Sequence, residues 1–157
     1  MQLVQNRGHR NHRATIASLI KSSKRSVLCS GWIKVEGVRA LLPAIDSALL
    51  NGASITIYSS EKETLPDAIA AIPDRPGLEH LIVPHGRMYL HSKLYYFEQG
   101  TNYTVLIGSA NITYGGLVKN NELSVRFTGS VGDEKHRELT SYMEELQQIG
   151  RATSHAE

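Results

Sequence analysis

His91 and Lys93 stand two residues apart, Gly108-Ser109-Ala110-Asn111 closes the next apolar run, and Glu122 follows after a loop rich in glycine and asparagine. Between them these residues supply a nucleophile or proton carrier, a fixed cation, two hydrogen-bonding side chains and an acid able to orient the histidine. Such a set suits the handling of a phosphate. The imidazole can attack or carry a proton, while the ammonium and amide offset charge on non-bridging oxygens.

The elements that must position them follow from periodicity. The chain from about Asn11 to Ser23 reads as a helix with Ile16, Leu19 and Ile20 on one stripe. Ser26–Gly31 is a short β-prone run ending at a glycine. A second helix is expected from about Val38 to Leu50, with Pro43 early enough to be tolerated and Asn51-Gly52 as its stop. Ser54–Ser59 and Glu79–Pro84 read as strands, with a third amphipathic segment from Glu61 to Ile72 between them. Strands alternating with helices predict parallel pairing.

The pattern changes at Ser92–Phe97 and Tyr103–Gly108, two strands separated by too few residues for a crossover helix, which predicts an antiparallel hairpin. With Phe97 opposite Tyr103, His91 falls opposite Ser109 and Lys93 opposite Ile107. Alternation then turns His91, Lys93, Ser109 and Asn111 to one face. Glu122 opens the last strand, to Thr128, and can return to the same end of the sheet. A final helix is expected over Asp133–Ile149, with Leu139, Met143, Leu146 and Ile149 facing in. The fold class is therefore α/β: a mixed, mainly parallel sheet flanked by helices, with the hairpin carrying the motif. Residues 1–150 are expected to form one catalytic domain and 151–157 a polar, frayed tail.

Composition narrows the function. At 157 residues the chain can bury a core without staples. Its 17 Lys and Arg against 15 Asp and Glu exclude a polybasic or acidic tail, and a pI near 8.7 tilts it towards anionic partners. Its one cysteine, Cys29, lies in an apolar run and reads as a buried thiol in a reducing compartment. The first thirteen residues are polar and basic, and no apolar run is long enough to cross a bilayer, so a soluble, cytoplasmic protein is expected.

His91-Ser92-Lys93, Gly108-Ser109-Ala110-Asn111, Gly116-Leu117 and Asn121-Glu122, in that order, resemble the signature of the phospholipase D superfamily. The likeness is nearest to its small nuclease-like members and to the catalytic domain of metal-independent restriction endonucleases. One position departs from the pattern: the family's motif commonly reaches an aspartate five residues after the lysine, and here Glu98 stands there. Hairpin geometry puts Glu98 at the far end of its strand, roughly 15 to 20 Å from Lys93 at about 3.3 Å per residue, so it is not expected at the phosphate.

The resemblance implies a phosphodiesterase in which His91 attacks phosphorus to form a phosphohistidine and Glu122 holds the imidazole. Lys93 and Asn111 would bind the non-bridging oxygens with help from Ser109, and neither metal nor other cofactor would be needed. Double-length relatives bring two motifs into one site. A single-motif chain would therefore act as a homodimer, one His91 attacking while the other serves as acid and then base.

Nucleic acid, DNA above all, is the favoured substrate and partner, on the basic residues Arg7, Arg10, Arg13, Lys21, Lys24 and Arg25 and on the lack of an amphipathic membrane helix. Little sequence specificity is expected from this length. A lipid phosphodiesterase, or a catalytically silent binding module, is the alternative. Of the other histidines, His9, His12, His136 and His155 sit among polar residues and are expected to be solvated, and Pro84-His85-Gly86-Arg87 reads as a turn. Trp32 suits the core and the site equally.

Overall fold

A computed structural model describes residues 1–153. In chain order its elements are β1 (Gln2–Gln5), α1 (His12–Ser22), β2 (Arg25–Ser30), α2 (Val35–Leu50), β3 (Ser54–Ser60), α3 (Pro66–Ala71), β4 (Leu78–Val83), β5 (Lys93–Gln99), β6 (Asn102–Gly108), a π-helical turn (Gly115–Lys119), β7 (Leu123–Ser130), α4 (Glu134–Ile149) and β8 (Arg151–Ala152). All eight strands join one sheet in the order β1-β7-β6-β5-β2-β3-β4-β8. Ile16, Leu19 and Ile20 of α1 pack with Leu41 and Ile45 of α2 on one face, over Leu28, Tyr95, Phe97 and Leu106. On the other face Leu139, Met143 and Leu146 of α4 cover Val27, Tyr58, Tyr96 and Val105.

The mixed sheet flanked by helices is as the sequence predicts, but its balance is not mainly parallel. Among the described residues only the strand pairs β2–β3 and β3–β4 run parallel. Five pairings there are antiparallel, two of them made by strands outside the alternating pattern. β1 forms from Leu3 and Val4 in the segment read as featureless, and pairs with β7. β8 forms from Arg151 and Ala152, part of the segment read as a frayed tail, against β4.

Two helix boundaries also move. α2 starts at Val35 rather than Val38, which moves Pro43 from the second turn of the helix into its third. Gly37 makes this start possible: a Cβ there would overlap the carbonyl of Ile112, so only glycine lets α2 lie on the chain next to Asn111. The segment after β3 becomes helical only at Pro66, whose fixed φ suits a first helical position. α1 begins as expected, with Asn11 accepting from the amide of Ala14 at 2.8 Å.

Between β5 and β6 the connection is a two-residue turn, Gly100-Thr101, with Gly100 at a φ of 62°. That tighter turn sets the register: Phe97 pairs with Thr104 and Leu94 with Ile107, one residue away from the expected Phe97–Tyr103 alignment. Carried to the strand ends, this puts Lys93 across from Gly108.

Candidate active site

The C-terminal ends of β2 and β6 and the N-terminal ends of β5 and β7 meet at one end of the sheet. Every residue nominated from the sequence lies there. Lys93 opens β5, half-buried, across from Ser30 of β2. Its ammonium donates to the His91 carbonyl at 2.7 Å and lies 3.3 and 3.4 Å from the two nitrogens of the exposed His91 ring. Cation and imidazole are thus in contact. Desolvation pulls the lysine below its ordinary pKa, and the negative charge of Glu122 acts against that pull.

Asn111 reaches the same place by a route other than strand alternation. β6 ends at Gly108, and the chain leaves the pleat as the hydroxyl of buried Tyr95 donates to the Ala110 carbonyl at 2.6 Å. The Asn111 Oδ1 then accepts from the Trp32 backbone amide at 3.2 Å and lies 3.2 Å from the Ser30 hydroxyl. A backbone N–H can only donate, so the atom facing it is the oxygen and the Asn111 NH₂ is left for other partners. Ser30 links the two halves of the set, as strand partner of Lys93 and neighbour of Asn111.

Ser109 and Glu122 form a third part. The Ser109 hydroxyl donates to the Glu122 carboxylate and accepts from the Leu123 amide at 3.1 Å. The Asn120 side-chain amide donates to the same carboxylate at 3.5 Å. Glu122 is therefore held by Ser109 and Asn120. It does not lie on the His91 ring, whose contacts are Lys93 and the tilted ring of Tyr89, centroids 5.8 Å apart. The expectation that Glu122 fixes the imidazole within the chain is corrected to this extent.

Close backbone approach explains three glycines of the motif region. A Cβ on Gly31 would stand 2.6 Å from the Leu90 carbonyl oxygen and 3.1 Å from the Cα of His91. One on Gly108 would meet Ser124, and one on Gly116 would overlap the Asn111 backbone. Gly116→Ala is expected to cost about 1–3 kcal/mol by overpacking, and to lower the melting temperature by about 2–4 °C for each of these in a chain of this size. Thermal denaturation checks it. Melting at the wild-type temperature would show that Gly116 does not confine Asn111.

Trp32 is 42% exposed, with the Lys34 ammonium 4.5 Å from its ring centroid, and lines a cleft of about 390 Å³ with Tyr114 and Asn120. Tyr89 is 46% exposed, with Lys62 4.9 Å from its ring centroid. Ser30, Tyr89 and Asn120 were not legible as site residues in the sequence; Gly31 at a strand end before Trp32 was the available signal. His85 lies in the expected turn, its amide donating to Glu61 at 2.8 Å.

Glu98 sits away from this set, held by Arg25 at 3.0 Å, the Tyr96 hydroxyl at 2.7 Å and His136 at 3.7 Å. His136 packs on Tyr96 and Tyr103 and is not simply solvated. His12 is fully buried, against the expectation from its polar neighbours, and His9 is exposed as expected. His155 lies outside the described residues. Arg25 belongs to β2, and with Lys24, whose amide donates to the Glu98 carbonyl, it marks the far end of the sheet. Arg7, Arg10 and Arg13 flank the start of α1. Cys29 is buried, which pushes its thiol up to about 11. Among the described residues no three of His, Cys, Asp and Glu gather as metal ligands, and no helix is long and apolar enough to cross a membrane.

The family described as "Cardiolipin synthase, PLD-like domain" matches residues 16–147 of this chain. NucT from Helicobacter pylori has a similar structure, with a TM-score of 0.75 and 16% identity over 97% of this chain and 98% of that one. Nuc from Salmonella typhimurium, described as a phospholipase D family member, gives 0.74 and 21% over 97% and 96%. A mutant of yeast tyrosyl-DNA phosphodiesterase gives 0.60 and 13% over 92% of this chain and 37% of that one. At these identities the likeness is one of fold. No curated protein sequence matches the chain.

Proposed function

The chain belongs to the phospholipase D-like family, and from that premise we propose that it is a metal-independent phosphodiesterase, a DNA endonuclease that works through a phosphohistidine. One observation carries this reading. An exposed imidazole touches an ammonium, beside an asparagine whose oxygen is taken by a backbone amide so that its NH₂ is left to donate. Those are a nucleophile and two fixed donors for a tetrahedral anion.

In the first step a His91 nitrogen attacks phosphorus in line, forming the N–P bond as the bond to the leaving oxygen breaks. Lys93 and Asn111 hold the non-bridging oxygens and offset their growing charge, and Ser109, already tied to Glu122, lines the same end. The leaving oxygen needs a proton, and one motif does not supply a second acid of this kind. We assign that part to the His91 of a second copy in a two-fold dimer. In the second step the same group takes a proton from water, which attacks phosphorus as the N–P bond breaks.

DNA is favoured by the pI near 8.7, by Arg7, Arg10 and Arg13 around the start of α1, and by the exposed rings of Trp32 and Tyr89, which suit bases while Lys34 and Lys62 suit phosphates. The tyrosyl-DNA phosphodiesterase of like fold acts, by its name, on DNA, which agrees with this substrate. Residues 1–150 act as one catalytic domain in this reading, and the buried Cys29 thiol suits the cytoplasm. The family description itself names a lipid enzyme, so the second reading is a lipid phosphodiesterase. Plasmid DNA and phosphatidylglycerol vesicles offered separately to the chain decide between them, with mass in solution measured on the same sample. Cleavage of DNA by a dimer is expected. Hydrolysis of lipid alone would favour the second reading, DNA binding without cleavage would indicate a silent module, and an active monomer would remove the shared site.

A further inference from the structure

His12 opens α1 in a polar stretch, yet its side chain is fully buried. Burying an imidazole is costly unless both nitrogens are paired, and here both are. Nδ1 lies 2.7 Å from the Asn6 Oδ1 and Nε2 lies 2.9 Å from the Ser124 hydroxyl. The backbone amide of His12 donates to the same Asn6 oxygen at 3.0 Å, which identifies that atom as an acceptor. Nδ1 must therefore carry the proton. Burial lowers the pKa of this ring, so it is neutral, Nε2 is bare, and the Ser124 hydroxyl donates to it.

The other end of Asn6 extends the network. Its NH₂ donates to the carbonyls of Gly116 at 2.8 Å and Asn120 at 3.1 Å. The segment from Gly116 to Ser124 is thus gripped at both ends, by Asn6 at its start and by His12 through Ser124 at its finish. Between the grips lie Asn120 and Glu122, and Glu122 receives the Ser109 proton. Gly116 abuts the Asn111 backbone, and Ser124 pairs with Gly108. Movement of this segment would therefore disturb Ser109, Asn111 and Glu122 together.

We infer that His12, with Asn6 and Ser124, is a positioning residue for the phosphodiesterase site: it touches no substrate but holds the segment that places Glu122, Ser109 and Asn111. The inference rests on the phosphodiesterase reading. Its cost when broken is misplacement of donors, an effect that reaches roughly a hundredfold for an ångström of displacement.

The test uses the full chain and a small substrate, bis(4-nitrophenyl) phosphate, so that DNA binding does not intervene. Asn6→Ala and Ser124→Ala are expected to lower kcat by roughly ten- to a hundredfold with KM changed less than about twofold. Ile16→Val, one turn along α1 and also buried, destabilises the same helix but removes no hydrogen bond to the segment, and its kcat should stay at the wild-type value. ¹⁵N spectra of the histidine rings should show His12 protonated at Nδ1 and bare at Nε2. Partner variants that lose no more activity than Ile16→Val, or a His12 ring protonated at Nε2, would overturn the inference. If the wild type and His91→Ala were both inactive on the diester, the phosphodiesterase reading itself would fail, while wild-type activity with unaffected variants would remove only His12.

Discussion

Replacing His91 by alanine is expected to abolish phosphodiester hydrolysis, with a loss on the order of 10⁴-fold or more, the scale seen when a nucleophile is removed elsewhere. No neighbour can take over. The Lys93 nitrogen is an ammonium engaged by the His91 carbonyl, and the Ser109 hydroxyl donates to the Glu122 carboxylate, a base far weaker than an imidazole and poorly suited to taking its proton. The one thiol, Cys29, is buried and pushed up to about 11. Because His91 is exposed, the variant should melt within about 0.5 kcal/mol of the wild type, which separates lost chemistry from lost fold. Initial rates and thermal melting on the same preparation check both parts. A variant that retained a tenth of wild-type activity would remove His91 as nucleophile.

Lys93→Ala is expected to lower kcat by about 10²- to 10³-fold, the range for loss of one preorganised donor to a developing charge. The ammonium meets both the His91 carbonyl and the imidazole, so its loss removes a charge and a brace for the ring. Lys93→Arg should recover little, since a planar guanidinium does not replace a compact ammonium in a narrow place. A rise in KM with kcat unchanged would mean that Lys93 only binds the ground state. Desolvation depresses the Lys93 pKa, so the charged form is lost at a lower pH than for a solvated lysine. The alkaline limb of the rate profile should shift accordingly, and its position in the wild type checks the sign.

Most of the elements were legible because apolar spacing carries them: the Ile16-Leu19-Ile20 stripe, the Leu41-Ile45 stripe and the two runs of the hairpin all fold as the sequence predicts, and the nominated polar residues lie together at one end of the sheet. The register was not. The two-residue turn at Gly100-Thr101 fixes it, one residue away from the alignment expected with Phe97 opposite Tyr103. The site converges even so, because β6 ends at Gly108 and Ser109 and Asn111 are placed by Glu122 and Trp32 rather than by alternation.

What the sequence could not convey were contacts between distant segments. His12 among polar neighbours looks solvated until β7 brings Ser124 onto it from 112 residues away. β1 and β8 are short edge strands whose pairing partners, and not their own composition, make them strands. Glu122 lies at the expected end of the sheet but against Ser109 and not His91, because side-chain type alone does not choose between them as the group that reaches it first.

In the proposed mechanism His91, with fixed donors in place of a metal ion, breaks a phosphodiester bond. The deciding measurement is cleavage of plasmid DNA by the wild type and by His91→Ala, each with and without excess EDTA. The expected result is wild-type cleavage at the same rate in chelator and none by the variant under either condition. Cleavage that disappears with EDTA and returns with Mg²⁺, or that survives the loss of His91, would contradict it.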